Sequence, residues 1–276
     1  MSAMQLEALT WNLFHGRDHP PDPALFSWRS RLLRTSERNA THWQVNRDLF
    51  DEFATVLASV SWDVALLQEC PPRWSAALAE ACSASGHAVA TSRNSFGWLR
   101  RALARLNPDL IASNEGGSNL TLVRGDILDR IEYVLTPGPR PERRVMAFTR
   151  ASVGAESVEL CVANLHASAG PGRQHAAERE VLAAATHARE WAGDLPLIFG
   201  GDLNLRPAET SVYGQLAQRN GLRGTTAPDA LDHLLVRGLE PASAPQQWPP
   251  ERREVRSHGL AIRLSDHAPV EARFST

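Results

Sequence analysis

The chain contains no lysine: all 29 residues counted as lysine or arginine are arginine. An arginine-only set of cations suits bidentate recognition of phosphate, but a compositional bias of the source genome explains the same absence more simply. Net charge is also nearly absent, with a formal value of -2 and an isoelectric point near 6.6. The sequence therefore lacks the global basic field of a dedicated nucleic-acid binder, although a local basic patch stays compatible with it.

Cysteine is scarce, and its spacing indicates neither a disulfide framework nor a structural zinc site. Cys70, Cys82 and Cys161 form no Cys-X-X-Cys pair and no zinc-type pattern with histidine. The N-terminus has no charged segment followed by an apolar one, and no apolar run approaches the roughly 20 residues that span a bilayer. We therefore expect a cytoplasmic protein with reduced thiols.

The remaining composition is that of an ordinary globular protein. Of the 276 residues, 43% are hydrophobic and 22% are charged, which is enough apolar material for a sizeable core. The sequence contains neither an internal repeat nor a low-complexity tract. We expect a monomer with a single domain that spans residues 1–276.

Short apolar runs alternate with helical patterns along the chain. Helical spacing or composition predicts helices over residues 46–60, 74–83 and 174–191. Apolar or alternating runs predict strands over residues 6–13, 63–68, 119–124, 133–136, 144–153, 158–163, 195–199, 231–236 and 268–274. We expect the strands between residues 119 and 163 to form an antiparallel region, and the whole pattern predicts an α/β domain.

Polar motifs stand at one end of most of these strands. They are Trp11-Asn12, Gln68-Glu69, Asn164-Leu165-His166, Gly201-Asp202-Leu203-Asn204, Leu231-Asp232-His233 and Ser265-Asp266-His267. Each motif is weak evidence alone, but the glycine-preceded one is stronger, because glycine permits a tight turn from which a carboxylate and an amide emerge together. Since functional groups gather where strands end, these separated motifs can meet in one cleft.

Carboxylates and amides dominate these motifs. Such oxygen ligands suit Mg²⁺ or Mn²⁺ better than zinc. In hydrolysis of a phosphate ester, a metal neutralises phosphoryl charge, a carboxylate orients or deprotonates water, and a histidine stabilises developing negative charge. The motifs supply the residue types for all three tasks.

Taken in order, the six motifs resemble those of the endonuclease/exonuclease/phosphatase superfamily, which is also called the deoxyribonuclease-I-like fold. The resemblance extends from Leu9 to Phe274, nearly the whole chain. It implies a four-layer α/β sandwich in which two mixed β-sheets pack face to face with helices outside. Residue patterns alone predict only an α/β domain.

The resemblance also implies roles for eight residues. It implies that Glu69 and Asp266 bind the divalent metal with Asn12 nearby, that Asp202 and Asn204 position the attacking water, that His166 contacts the scissile phosphate, and that Asp232 orients His267. The last pairing makes chemical sense by itself, because a carboxylate against an imidazole raises the histidine pKa and fixes its orientation. His233, next to Asp232, should point to the opposite face of its strand.

These expectations favour a metal-dependent phosphodiesterase or nuclease that hydrolyses a P–O bond with water. Two alternatives stay open: a phospholipid or inositol-phosphate phosphoesterase, and a non-catalytic phosphate-binding protein on the same fold. A protein that had lost turnover would lack a metal carboxylate, the water-positioning aspartate or the catalytic histidine. None of these is missing.

Two arginine-rich and aromatic loops, residues 17–43 and 92–110, are candidates for substrate choice. They could stack bases and hold phosphates, or residues 96–106 could form an amphipathic helix against a membrane or against the domain. We favour packing against the domain, and we place nucleic acid ahead of phospholipid because no secretion signal is present. Asn119 and Arg124 could reach a substrate phosphate, although a solvated strand end explains Arg124 equally well.

Overall fold

The computed structural model describes residues 5–91, 102–103, 106–110, 116–136, 144–154 and 156–275. The helices are α1 (Trp28–Leu33), α2 (Phe50–Ser59), α3 (Ser75–Ala81), α4 (Gln174–Ala192) and α5 (Val212–Gln215). The strands are β1 (Gln5–Asn12), β2 (Glu37–Arg38), β3 (Trp43–Gln44), β4 (Val64–Cys70), β5 (Ser85–Ala90), β6 (Ser118–Val123), β7 (Gly125–Thr136), β8 (Arg144–Val153), β9 (Val158–His166), β10 (Leu197–Asp202), β11 (Asp232–Arg237), β12 (Glu240–Pro241), β13 (Gln246–Gln247), β14 (Glu254–Ser257), β15 (Leu260–Arg263) and β16 (Val270–Ser275).

Two mixed sheets form the centre of the protein. The first has the order β12-β16-β1-β4-β6-β5, with β13 also paired to β16. The second has the order β11-β10-β9-β8-β7. Each sheet contains one parallel pair, β1 with β4 and β9 with β10, among antiparallel neighbours.

The two sheets pack face to face, and helices cover their outer faces. One buried cluster joins Leu6 and Leu66 of the first sheet to Val162 and Ile198 of the second. A second cluster packs α2 and α3 on the outside of the first sheet, and a third packs α4 on the outside of the second sheet. These layers confirm the four-layer α/β sandwich that the family resemblance implied.

Sequence accounts for the helical layers. In α4, the alanine-rich sequence favours helix, and Ala177, Val181, Ala184 and Ala188 place small side chains on the buried face. The helix predicted over residues 46–60 begins later, at Phe50, where the Asp48 side chain accepts the Phe50 backbone N–H at 3.0 Å and so forms a turn ahead of the helix.

The predicted antiparallel region is divided between the two sheets. Strands β7, β8 and β9 are antiparallel neighbours, as expected, but β6 belongs to the first sheet. The chain changes sheet at Gly125, where a Cβ atom would lie 2.1 Å from the Ser152 carbonyl oxygen. Strand β7 is also far longer than the predicted 133–136, because this edge strand exposes charged residues that mask its alternation.

Three sequence predictions have no structural outcome. Most of the helix predicted over residues 96–106 lies outside the described residues. The single domain over residues 1–276 and the monomeric state stay predictions.

Helices long and apolar enough to cross a bilayer do not occur in the described parts of the chain.

His87 connects the two sheets through a buried polar contact and should make folding sensitive to acid. Its Nδ1 lies 2.9 Å from the Thr149 hydroxyl of β8. Burial lowers the pKa of His87 to about 4, with Arg130 acting in the same direction. Because the folded-state pKa lies below the unfolded value, this contribution to stability is complete above about pH 6.5 and is lost as pH falls towards 4.

We predict that His87→Gln has a shallower loss of unfolding free energy between pH 6.5 and 4 than the wild type, by up to about 1.4 kcal/mol per pH unit. Urea unfolding at several pH values measures this slope. His258→Gln, at an exposed histidine, serves as the control. Equal slopes for His87→Gln and the wild type would contradict the assignment.

Candidate active site

Strand pairing brings the predicted motifs to one edge of the sandwich. Because β1 runs parallel to β4, Asn12 pairs with Gln68, and the parallel pair in the second sheet sets His166 opposite Asp202. Antiparallel β11 begins beside Asp202, at Asp232. The turn that precedes β16 then supplies the last motif. Six segments distant in sequence thus meet at one cleft.

Asp202 lies at the centre of this cleft and is 1% exposed. Its Oδ2 accepts a hydrogen bond from Asn12 Nδ2 at 2.9 Å, and its Oδ1 accepts the Asn204 backbone N–H at 3.2 Å. Two imidazoles face the same carboxylate: His166 Nε2 at 3.5 Å and His267 Nε2 at 3.8 Å. Four of the predicted site residues therefore surround a fifth.

Glycine is required where β10 approaches this site. A Cβ atom on Gly201 would lie 2.0 Å from the Leu165 carbonyl oxygen, and the residue has a φ of +127°. Only glycine accommodates both the close approach and this backbone conformation. The sequence predicted a tight turn here, but Gly201 lies within β10, where it pairs with Leu165 and His233, so the glycine serves close approach of strands instead.

His267 and Asp232 form the predicted pair. Their Nδ1 and Oδ2 atoms are 2.8 Å apart. Burial opposes a charge on His267, but the carboxylates of Asp232, Asp202 and Asp266 outweigh it and raise the histidine pKa to about 10. The imidazole is therefore a cation at neutral pH. Asp232 Oδ1 is buried and has no hydrogen-bond partner among the described residues.

The turn that carries His267 is fixed by Arg253, which sequence analysis missed, and by Trp11 of the first motif. Arg253 donates from one nitrogen to the carbonyl oxygens of Leu264, Ser265 and His267, at 2.9, 2.5 and 3.1 Å. Trp11 Nε1 also donates to the His267 carbonyl, at 3.0 Å. No motif marks Arg253, because its partners are backbone atoms of another segment.

Glu69 projects into the cleft from a bulge near the end of β4. The strand register shifts there, and Glu69 has a φ of +48°. Burial raises the pKa of Glu69 to about 7, and the negative charges of Asp202 and Asp266 act in the same direction. A second cation close to Glu69 would relieve this repulsion.

Two neutral histidines contact Glu69. Burial lowers the pKa of His15 to about 3 and that of His166 to about 4. His15 Nε2 lies 3.2 Å from Glu69 Oε2, and His166 Nε2 lies 3.9 Å from Oε1. Sequence analysis missed His15, although its position three residues after Asn12, in the turn that follows β1, was a usable signal.

Two motif residues, Gln68 and Asn164, and the buried Asn119 serve the packing of the two sheets. Asn164 accepts from Gln68 Nε2 at 2.9 Å and donates to the Leu67 and Leu120 carbonyls of the first sheet. Asn119 is fully buried and donates to the Val145 carbonyl across the sandwich. These side-chain amides supply hydrogen bonds to backbone carbonyls that packing of the two sheets removes from water.

Two further predictions have clear structural outcomes. The expectation that Arg124 could reach substrate is not met, because its guanidinium stacks on Trp62 and donates to the Val60 carbonyl at 3.1 Å. His233 does point away from the cleft, as expected: its Nδ1 accepts the Thr226 N–H at 3.2 Å in a buried position.

The donor atoms fit an oxygen-seeking divalent cation. Glu69 and the exposed Asp266 offer carboxylate oxygens, and repulsion among the carboxylates is what such a cation would relieve. The Asn12 side-chain oxygen, the atom that would bind a metal, already accepts the Phe14 backbone N–H at 2.9 Å. Within the described residues, one further group brings its ligand atoms within 4.8 Å of one another: Asp202, Asp232 and His267.

Two polar cavities adjoin these residues. One, of about 240 Å³, is lined by Asp232, Asp266 and His267 together with Arg206. The other, of about 360 Å³, lies on the Asn204 side and is also lined by Arg206. Both cavities therefore border residues of the predicted site, and Arg206 lies between them.

Several solved structures share this fold. A mannosyl-6-phosphatase from Bacteroides thetaiotaomicron is 16% identical, with 98% of this chain and 100% of that chain covered and a TM-score of 0.65. The human Nocturnin catalytic domain is 14% identical, with coverage of 98% and 93% and a TM-score of 0.64. Truncated TDP2 from Caenorhabditis elegans is 17% identical, with coverage of 99% and 98% and a TM-score of 0.59. These identities establish likeness of fold alone.

Comparison with curated protein sequences returns no match. The sequence profile of the Endonuclease/Exonuclease/phosphatase family, in contrast, matches residues 9–267, a span that contains all six motifs. The match and the four-layer fold agree with the order of the motifs along the chain. This chain belongs to the endonuclease/exonuclease/phosphatase family.

Proposed function

We propose that this protein is a divalent-metal-dependent phosphoesterase that hydrolyses a P–O bond by direct attack of water. The observation that carries the proposal is the placement of a cationic imidazole, held by Asp232, opposite the buried carboxylate of Asp202. A base and a cation on two sides of one small space suit an attacking water and a phosphoryl group.

Asp202 is the proposed base. Its carboxylate accepts a proton from the attacking water. The Asn204 backbone N–H donates to Oδ1 of this carboxylate and so keeps it in place. The water oxygen forms a new bond to phosphorus, the ester P–O bond breaks, and the departing oxygen takes a proton from solvent. Asn12 restrains Asp202 from the other sheet.

His267 and His166 are the proposed contacts to the phosphoryl oxygens. The charge of His267 faces the space where negative charge develops, and the hydrogen bond to Asp232 fixes its ring. His166, neutral and buried, is placed to donate a hydrogen bond without adding charge.

Glu69 and Asp266 are the proposed ligands of Mg²⁺ or Mn²⁺, with Asn12 beside them. When bound, such an ion supplies positive charge to the phosphoryl oxygens. His15 holds the Glu69 carboxylate through Nε2 and so limits its movement. The Asp202, Asp232 and His267 group is compatible with a second ion, and metal stoichiometry distinguishes one site from two.

For substrate class, the sequence places phosphodiesters of nucleic acid first and phospholipids second. A panel of single- and double-stranded DNA, RNA, sphingomyelin, inositol phosphates, a sugar phosphate and a generic phosphodiester tests the proposal with and without Mg²⁺ or Mn²⁺. Metal-dependent turnover of one class supports it. Metal binding by folded protein without turnover of any member would favour the non-catalytic alternative.

Asp202→Asn should lower kcat by about 10²–10⁴-fold, because the amide cannot accept the proton of water. The fold should be retained, since an amide fits the same space. Asp194→Asn, at an exposed aspartate, is the matched control and should keep wild-type turnover. Steady-state kinetics on the best panel substrate measure both. Full activity of Asp202→Asn would remove this residue from the proposed site.

His267→Ala should lower kcat by about 10²–10⁴-fold, the usual scale for a positioned acid, base or charge stabiliser. Asp232→Asn should be milder, because the histidine remains and loses only the negative charge of its partner. Thermal unfolding of each variant separates a catalytic loss from a folding loss. Asp232→Asn more damaging than His267→Ala would contradict the proposed order of roles.

Glu69→Gln should raise the dissociation constant for Mn²⁺ by roughly tenfold or more, because it removes a charged oxygen ligand. Isothermal titration calorimetry reads this without any substrate. The control is Glu251→Gln, at an exposed glutamate. Unchanged Mn²⁺ affinity in Glu69→Gln would exclude this residue as a ligand.

A further inference from the structure

Exposed apolar side chains are concentrated in one region beside the cleft. Of eight large hydrophobic residues exposed in the described parts of the chain, six lie in two segments. We call these six the apolar patch: Trp28, Leu32, Leu33, Leu103, Leu106 and Leu110. Trp28 is 73% exposed and Leu33 is 57% exposed. Single exposed hydrophobic residues are ordinary, but a cluster of this kind marks an interaction surface.

Hydrogen bonds hold the two segments side by side. The Arg31 guanidinium of α1 donates to the Asp109 carbonyl oxygen at 3.2 Å, and Asn107 Nδ2 donates to the Arg31 carbonyl at 2.7 Å. Asn46 Nδ2 donates to the Asn107 side chain at 2.9 Å. The two segments that carry the patch are therefore fixed next to each other.

Exposed cations surround the patch, and the two acidic residues nearest to it in sequence are withdrawn from the surface. Asp109 is 1% exposed, and Glu37 is half-buried and accepts a hydrogen bond from the Ser27 hydroxyl. The chain has 31 acidic residues, yet none occurs in residues 23–36 or 83–108, the stretches that contain most of the patch. Arginine is frequent in both stretches, and Arg29, Arg34 and the nearby Arg38 are exposed. A surface of leucine, tryptophan and exposed arginine is complementary to the headgroup region of an anionic bilayer.

The patch is connected to the cleft by a short buried path. Arg17 donates to the same Asp109 carbonyl that Arg31 binds, at 3.5 Å, and stacks on Phe14 with 3.8 Å to the ring centroid. The Arg17 carbonyl accepts the Ser265 N–H at 2.9 Å, next to Asp266 of the proposed site. Docking through the patch would bring the cleft close to the docked surface.

We propose that the apolar patch docks on bilayers that contain anionic lipids, and that lipid headgroups present the phosphoester to the cleft. The second part rests on the proposed function; the first does not. Five of the six patch residues are leucines, which offer bases no stacking partner, and only Trp28 could stack on a base. This composition argues against nucleic acid as the occupant. A second copy of this chain would place arginines against arginines, which argues against self-association.

Co-sedimentation with phosphatidylcholine vesicles, with and without phosphatidylserine, tests the docking. Wild-type protein should bind the anionic vesicles, and binding should weaken as salt is raised. Leu32→Glu should weaken binding by roughly tenfold or more, because it puts a charge into the buried apolar contact. Leu128→Glu is the matched control: Leu128 is 48% exposed on β7, away from the patch, and its substitution should leave binding unchanged.

Charge reversal tests the arginine contribution separately. Arg29→Glu should weaken binding to anionic vesicles by roughly tenfold, because an attraction becomes a repulsion. Arg256→Glu, at an exposed arginine of the β14–β15 hairpin, should have no such effect. Thermal unfolding checks that all variants are folded.

Four results would overturn the docking. Two come from the vesicle assay: no binding of wild-type protein to anionic vesicles, or an equal loss of binding in the patch and control variants. The other two are that the patch variants lose binding to single-stranded DNA instead of vesicles, or that they lose a dimer seen for the wild type in sedimentation velocity. Asp202→Asn should bind vesicles as the wild type does, so docking is tested independently of catalysis. Leu32→Glu should reduce hydrolysis of bilayer phospholipid and keep turnover of a soluble phosphodiester. If the wild type and all variants hydrolyse the soluble phosphodiester but none hydrolyses bilayer phospholipid, the lipid substrate would be ruled out. The proposed phosphoesterase function would still stand.

Discussion

The hydrogen bond between Asn12 and Asp202 joins the two sheets at the point where the chemistry is proposed to occur. Asn12 ends a strand of the first sheet and Asp202 ends a strand of the second, and their side chains are 2.9 Å apart. Next to this contact, a second hydrogen bond joins the sheets: Gln68 Nε2 donates to the Asn164 side-chain oxygen at 2.9 Å. The site therefore depends on correct packing of the whole sandwich, and no single segment could form it alone.

Electrostatic balance is the second constraint on the site. Carboxylates are concentrated in a buried space, and the structure offsets their repulsion unevenly: His267 takes a positive charge, whereas His15 and His166 remain neutral. The repulsion that is not offset appears at Glu69, whose pKa is raised. A divalent cation would offset the repulsion among the carboxylates, and a phosphate ester would pair with the positive charge of His267. The same group of residues therefore suits both ligands.

Sequence was informative where a residue's role follows from its immediate neighbours. The motif at residues 201–204 identified Asp202 as a carboxylate at the end of a strand, and the apolar run over residues 63–68 identified β4. It failed where the partner is a distant backbone atom. Arg253 contacts carbonyl groups of the turn that carries His267, and Arg124 packs on Trp62, so neither role has a local signature. The layered fold came from family resemblance, because alternation along strands does not specify which sheet a strand joins.

Hydrolysis of a soluble phosphodiester in ¹⁸O-labelled water with Mg²⁺ or Mn²⁺ tests the central claim most directly. Direct attack of water on phosphorus predicts one labelled oxygen in the phosphate product, no label in the released alcohol, and no release once the metal is chelated. Label in the alcohol, or release that is indifferent to chelation, would contradict metal-dependent cleavage of the P–O bond.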